Sequence, residues 1–88
     1  MTIKIVVTPE KYDEIFSVDE IMFWEDLTRR DVYLKMLQCV TDGDGNYLPV
    51  KKARELFQAV KPSELNSYID QFFRAVRDAA VNPTSGDN

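Results

Sequence analysis

The chain has 88 residues, of which 44% are hydrophobic and 11% aromatic, with one cysteine, no histidine and a formal net charge of −4. That length and apolar content suit one small folded domain rather than a disordered chain. They exclude an intrachain disulfide framework and histidine-dependent catalysis, and the acidic balance argues against nucleic-acid binding, which needs clustered Lys and Arg.

In chain order, Thr2–Thr8 reads as a β-strand, with Ile3, Ile5 and Val7 on one side and Thr2, Lys4, Val6 and Thr8 on the other. A lone strand cannot satisfy its own backbone, so it needs a second strand or another chain. The candidate partners are Asn46-Tyr47-Leu48 or a second protomer. The segment is too short, and broken by Lys4, to act as a secretory signal. Thr8-Pro9 then marks a helix start, with Thr8 as N-cap and proline at the first helical position; this helix is expected to reach Ile15 or Phe16.

Ser17-Val18-Asp19-Glu20 has the spacing of a capping box, followed by a short helical turn to Phe23 or Trp24. Met22, Phe23 and Trp24 are the bulkiest patch of the chain. Trp24 is expected to fill the core, with a partner-facing role as the alternative. Thr28-Arg29-Arg30-Asp31 is another cap signal, and Val32, Tyr33, Met36, Leu37 and Val40 lie on one face of the helix it starts. Arg29 and Arg30 are expected to pair with Glu25 or Asp26.

Thr41-Asp42-Gly43-Asp44-Gly45-Asn46 is the strongest break in the chain. If Gly45 is position 6 of a calcium loop, Val40 and Lys51 stand where positions 1 and 12 require acids, so a plain turn is expected. Pro49 starts the next helix, with Val50, Ala53, Leu56, Phe57 and Val60 inward, and Lys61-Pro62-Ser63 separates it from the last. There Leu65, Tyr68, Ile69, Phe72, Phe73, Val76 and Ala80 follow helical spacing. Phe72 and Phe73 are both expected to be substantially buried, one in the monomer core and the other there or at a subunit contact. Residues 82–88 contain no apolar residue and are expected to form a flexible polar tail after a single helical domain over 1–81.

The expected fold is therefore mainly α: four helices, some short, with one N-terminal strand. No cofactor or metal site is expected. Cys39, alone inside a helical pattern, is expected to be a buried inert thiol, and its solitude points to a reducing cytoplasm. Residues 1–26 carry seven acids and two lysines, a local charge of −5 against +1 for the rest, so an acidic half could face a basic partner.

Asp44-Gly45-Asn46-Tyr47-Leu48-Pro49-Val50, then Ala53, Leu56 and Phe57, a proline break, then Leu65, Tyr68, Phe72 and Ala75, and finally Val81-Asn82-Pro83, resembles the small tail assembly chaperones of long-tailed bacteriophages. The similarity covers roughly residues 40–83. It implies a non-enzymatic protein of the infected bacterial cytoplasm. Such a protein coats the helices of the tape-measure protein, recruits tail-tube subunits and is absent from the finished virion. A longer frameshifted form often accompanies members of that family. The residues proposed for protein binding are Phe23, Trp24, Phe73 and Val76, and a homo-oligomer is expected, with no nucleic acid and no membrane as partner. The alternative is a small phage-encoded acidic protein that inhibits a basic host protein surface.

Overall fold

Strand β1, Lys4–Ile5, pairs antiparallel with β2, Val40–Thr41, so that Lys4 faces Thr41 and Ile5 faces Val40. The computed structural model describes residues 3–81; Thr2 and the expected tail at 82–88 lie outside them. Between and after the strands come α1 (Pro9–Ile15), α2 (Val18–Met22), a 3-10 turn (Trp24–Asp26), α3 (Arg29–Leu37), α4 (Val50–Gln58) and α5 (Pro62–Val81). The fold is mainly α, as its periodicity requires, with five α-helices and one short two-stranded sheet among the described residues.

The strand finds its partner within the chain, but at Val40–Thr41, which is neither of the candidates Asn46-Tyr47-Leu48 and a second protomer. Val40, expected on the face of α3, lies instead in β2. The helix ends at Leu37, the chain turns through Gln38 and Cys39, and Val6 N–H donates to the Cys39 carbonyl at 2.9 Å. Val40 and Thr41 are β-branched and sit where β1 offers unpaired backbone groups, so tertiary pairing overrides the helical pattern. The other candidate, Tyr47, bridges to Thr41 on the far side of β2, and its hydroxyl donates to the Val6 carbonyl at 3.0 Å. A second protomer is therefore not needed to pair β1.

The intervening turn is held by Asp42, whose Oδ1 accepts from Asp44 N–H at 2.8 Å and Asn46 N–H at 3.1 Å. Gly45 sits at φ +86°, where an L side chain would be strained. The Asp42 carboxylate is thus engaged by its own backbone, and these hydrogen bonds hold it below its ordinary range.

The caps read from the sequence form. Thr8 Oγ1 accepts from Lys11 N–H at 3.0 Å, and the Ser17–Glu20 and Thr28–Asp31 pairs each close a reciprocal capping box. These caps satisfy donors that a helix start leaves free, which matters for α1 and α2 because they are only seven and five residues long.

The core gathers Ile5, Ile15, Phe16, Met36, Leu37, Cys39, Val40, Ala53, Phe57, Phe72 and Val76, so α5 packs over β1, α1 and α3. The last member of the α5 stripe is Ala79, which is buried, whereas the expected Ala80 is exposed. Ala79 is three residues beyond Val76 and so remains on its face. Cys39 is fully buried, and desolvation pushes its thiol up to about 12. Native protein at pH 8 is therefore expected to resist thiol alkylation, with labelling appearing only on unfolding in denaturant; rapid native labelling monitored by mass spectrometry would contradict this burial.

Candidate protein-binding surface

Helix α2 buries none of its residues. Val18 is 79% exposed, Met22 68% and Phe23 57%. Val18 and Met22 are one helical turn apart and share a face, with Phe23 directly after them. Large apolar side chains are common singly on protein surfaces, but a run of them on one short helix makes a candidate contact face.

Two sets of contacts fix α2 to the body. The first is Lys35 on α3, a buried lysine whose Nζ donates to the Ile15 carbonyl at 2.6 Å and lies 2.8 Å from Glu20 Oε2. It also stands 4.9 Å from the centre of the Phe16 ring. The ammonium therefore satisfies a carbonyl at the C-terminal end of α1 and a carboxylate in the first turn of α2, which is the favourable polarity at both ends. The hydrogen bond from Lys35, helped by Ser17 N–H, holds the Glu20 carboxyl below its ordinary value. The second set is aromatic. Tyr12, Phe16, Trp24, Phe73 and Phe72 form a chain of rings with neighbouring centroids 5.2 to 6.3 Å apart.

Trp24 closes one side of an open groove of about 430 Å³ between the 3-10 turn, the start of α3 and α5. Its apolar lining is Trp24, Leu27, Val32, Tyr33, Ile69 and Phe73, and Glu25 and Arg29 supply opposite charges on its walls. Trp24 is 39% exposed, so it is a groove wall and not the core plug expected of it. The core position is taken by Phe72, fully buried, while the adjacent Phe73 is 36% exposed because the next residue on a helix points about 100° away.

Of the residues expected to bind protein, Phe23, Trp24 and Phe73 reach the surface. Val76 does not: at 6% exposure it belongs to the core, which corrects its assignment. Its spacing four residues after Phe72 puts it on the buried face. The expected pairing of Arg29 or Arg30 with Glu25 or Asp26 is also corrected, since the ion pairs among the described residues are Lys11–Glu14 and Lys35–Glu20. Lys35 was missed in the sequence. The available signal was its place three residues after Val32, inside the apolar stripe of α3.

No protein-family model matches the chain, and no solved structure matches it. DISARM protein DrmE of Bacillus paralicheniformis is 35% identical over 82 residues, covering 90% of this chain and 10% of that protein. The chain thus spans about a tenth of the length of that relative. No helix among the described residues is long and apolar enough to cross a membrane.

Proposed function

We propose that this chain is a non-enzymatic protein-binding module that takes an apolar helical partner on the face formed by Val18, Met22 and Phe23. The observation that carries this reading is their 57–79% exposure on a capped helix none of whose residues is fully buried. An amphipathic helix laid against such a face removes that surface from water, at about 25 cal/mol per Å². The similarity to a tenth of a much longer protein supports a unit that also occurs as part of a longer chain.

The finer form of this reading is the tail assembly chaperone implied by the resemblance over residues 40–83, with tape-measure helices as the client. An exposed apolar face on an acidic body is what such a client requires. The inhibitor alternative draws less support, because Glu14 and Glu20 of the acidic block are engaged by Lys11 and Lys35.

Met22→Asp combined with Phe23→Asp tests the face. Both residues are exposed, so unfolding free energy should change by only about 0.5 kcal/mol. Co-expression with the long coiled-coil product of a gene immediately downstream should keep that product soluble with the wild type and lose it with the double variant. Equal protection by both proteins would remove the face from the reading. A downstream neighbour of another kind would leave the module without the chaperone role.

A further inference from the structure

The groove beside the client face carries a charge pattern that matches itself. Glu25 and Asp26 stand at one end of the six-residue stretch Glu25-Asp26-Leu27-Thr28-Arg29-Arg30, and Arg29 and Arg30 at the other. All four charged residues are exposed, and none has an ion-pair partner among the described residues. Of the four, Glu25 and Arg29 line the groove, whose lining is otherwise apolar but for Thr28 and Asn66, with Trp24 and Phe73 each more than one third exposed. A surface of one charge sign would repel a copy of itself. Two acids followed, after two intervening residues, by two bases do the opposite. In a two-fold contact residue i meets j and j meets i. An axis passing near Leu27 and Thr28 therefore brings the acids of each copy to the bases of the other.

We propose that the occupant of this groove is a second copy of the chain. Trp24 and Phe73 would be covered at the centre, and Glu25–Asp26 of each protomer would face Arg29–Arg30 of the other. The contact is made on the groove, which Val18, Met22 and Phe23 do not line.

The test is a charge-reversal pair measured by sedimentation equilibrium from 5 to 500 µM, spans chosen around the roughly micromolar affinities of small interfaces. Wild type should approach twice the 10.2 kDa chain mass, less readily at high salt. Glu25→Arg with Asp26→Arg should weaken the dimer about tenfold or more, and so should Arg29→Glu with Arg30→Glu, since each creates a like-charged patch. Mixed in equal amounts, the two variants should recover the dimer mass, because each then supplies the charge the other lost. A wild-type mass of 10.2 kDa at every concentration overturns the proposal. So does a mixture that stays monomeric, or a dimer that both variants retain. The Met22→Asp, Phe23→Asp protein should keep the dimer mass; if it falls to monomer, the copies meet on the client face instead and the groove assignment fails. Loss of client binding with the dimer intact would in turn concern only the proposed function.

Discussion

Replacing Phe72 with alanine is expected to cost about 3–5 kcal/mol of unfolding free energy, the range seen when a buried aromatic is truncated to a cavity. Phe72 is fully buried at the centre of α5, where that helix crosses the rest of the core. A chain of this size holds only about 4–13 kcal/mol in total, so the loss takes a large share of it. Urea unfolding should show a lower midpoint with a similar slope. Phe72→Leu, which retains a large apolar side chain, should lose less and serves if the alanine variant fails to fold. Phe73→Ala is the internal control: with 36% of its surface already in water it should cost well under half as much. Equal losses at the two positions would mean that the burial difference between them is not the deciding term.

The second large effect is expected at Lys35. Lys35→Ala should cost about 2–4 kcal/mol, because it strands the Ile15 carbonyl and leaves Glu20 without its cation. Lys35→Met keeps the stem packed and should cost less. The coupling between Lys35→Met and Glu20→Gln in a double-mutant cycle should be about 1 kcal/mol or below, since the Glu20 side chain is 33% exposed and water screens the pair. Glutamine preserves the capping box, which isolates the charge.

The pH dependence has a definite sign. The folded-state pKa of Glu20 lies below its ordinary value of 4.5. Its contribution is therefore complete above about that value and is lost as pH falls through the folded-state pKa. The stability gap between wild type and Glu20→Gln should be present at pH 7 and close in acid. A gap that widens as pH drops would show that the ion pair is not its source. Because Lys35 holds α2 to the body, its loss should also raise amide hydrogen exchange along α2 before it does so in α5, which is anchored by Phe72 and Val76. The exposed Val18, Met22 and Phe23 face would then be less ordered, linking a buried lysine to the partner binding proposed for that face.

Most of the helical skeleton was legible in the sequence because its signals are local. Ser17 with Glu20, Thr28 with Asp31 and Thr8 before Pro9 satisfy backbone donors within three residues, and these caps form as read. The α5 stripe marked Phe72 and Val76 as inward by spacing alone, with Leu65, Tyr68 and Ile69 half-buried beside them but Phe73 exposed, and the break at Asp42–Asn46 became the turn with Gly45 at positive φ.

The surface was legible only in part. The bulk of Met22, Phe23 and Trp24 was plain, but whether bulk lies inside or outside depends on what else fills the core. Phe16, Phe57 and Phe72 occupy that space, so Trp24 becomes a groove wall and Phe23 stays in water. By the same competition Val76, spaced four residues after Phe72, goes inward and is lost to any partner.

Sequence alone therefore determined a small, mainly helical, acidic domain with its helix starts, its main turn and the inward face of its last helix, since these depend on contacts a few residues apart. Only the tertiary structure decided the rest: Val40 leaving its helix to pair with Ile5, and Lys35 reaching across to Ile15 and Glu20. It also decided that Val18, Met22 and Phe23 stay exposed. Each of these is set by partners 15 to 35 residues away or by space already filled, which hydrophobic period and capping signals do not encode.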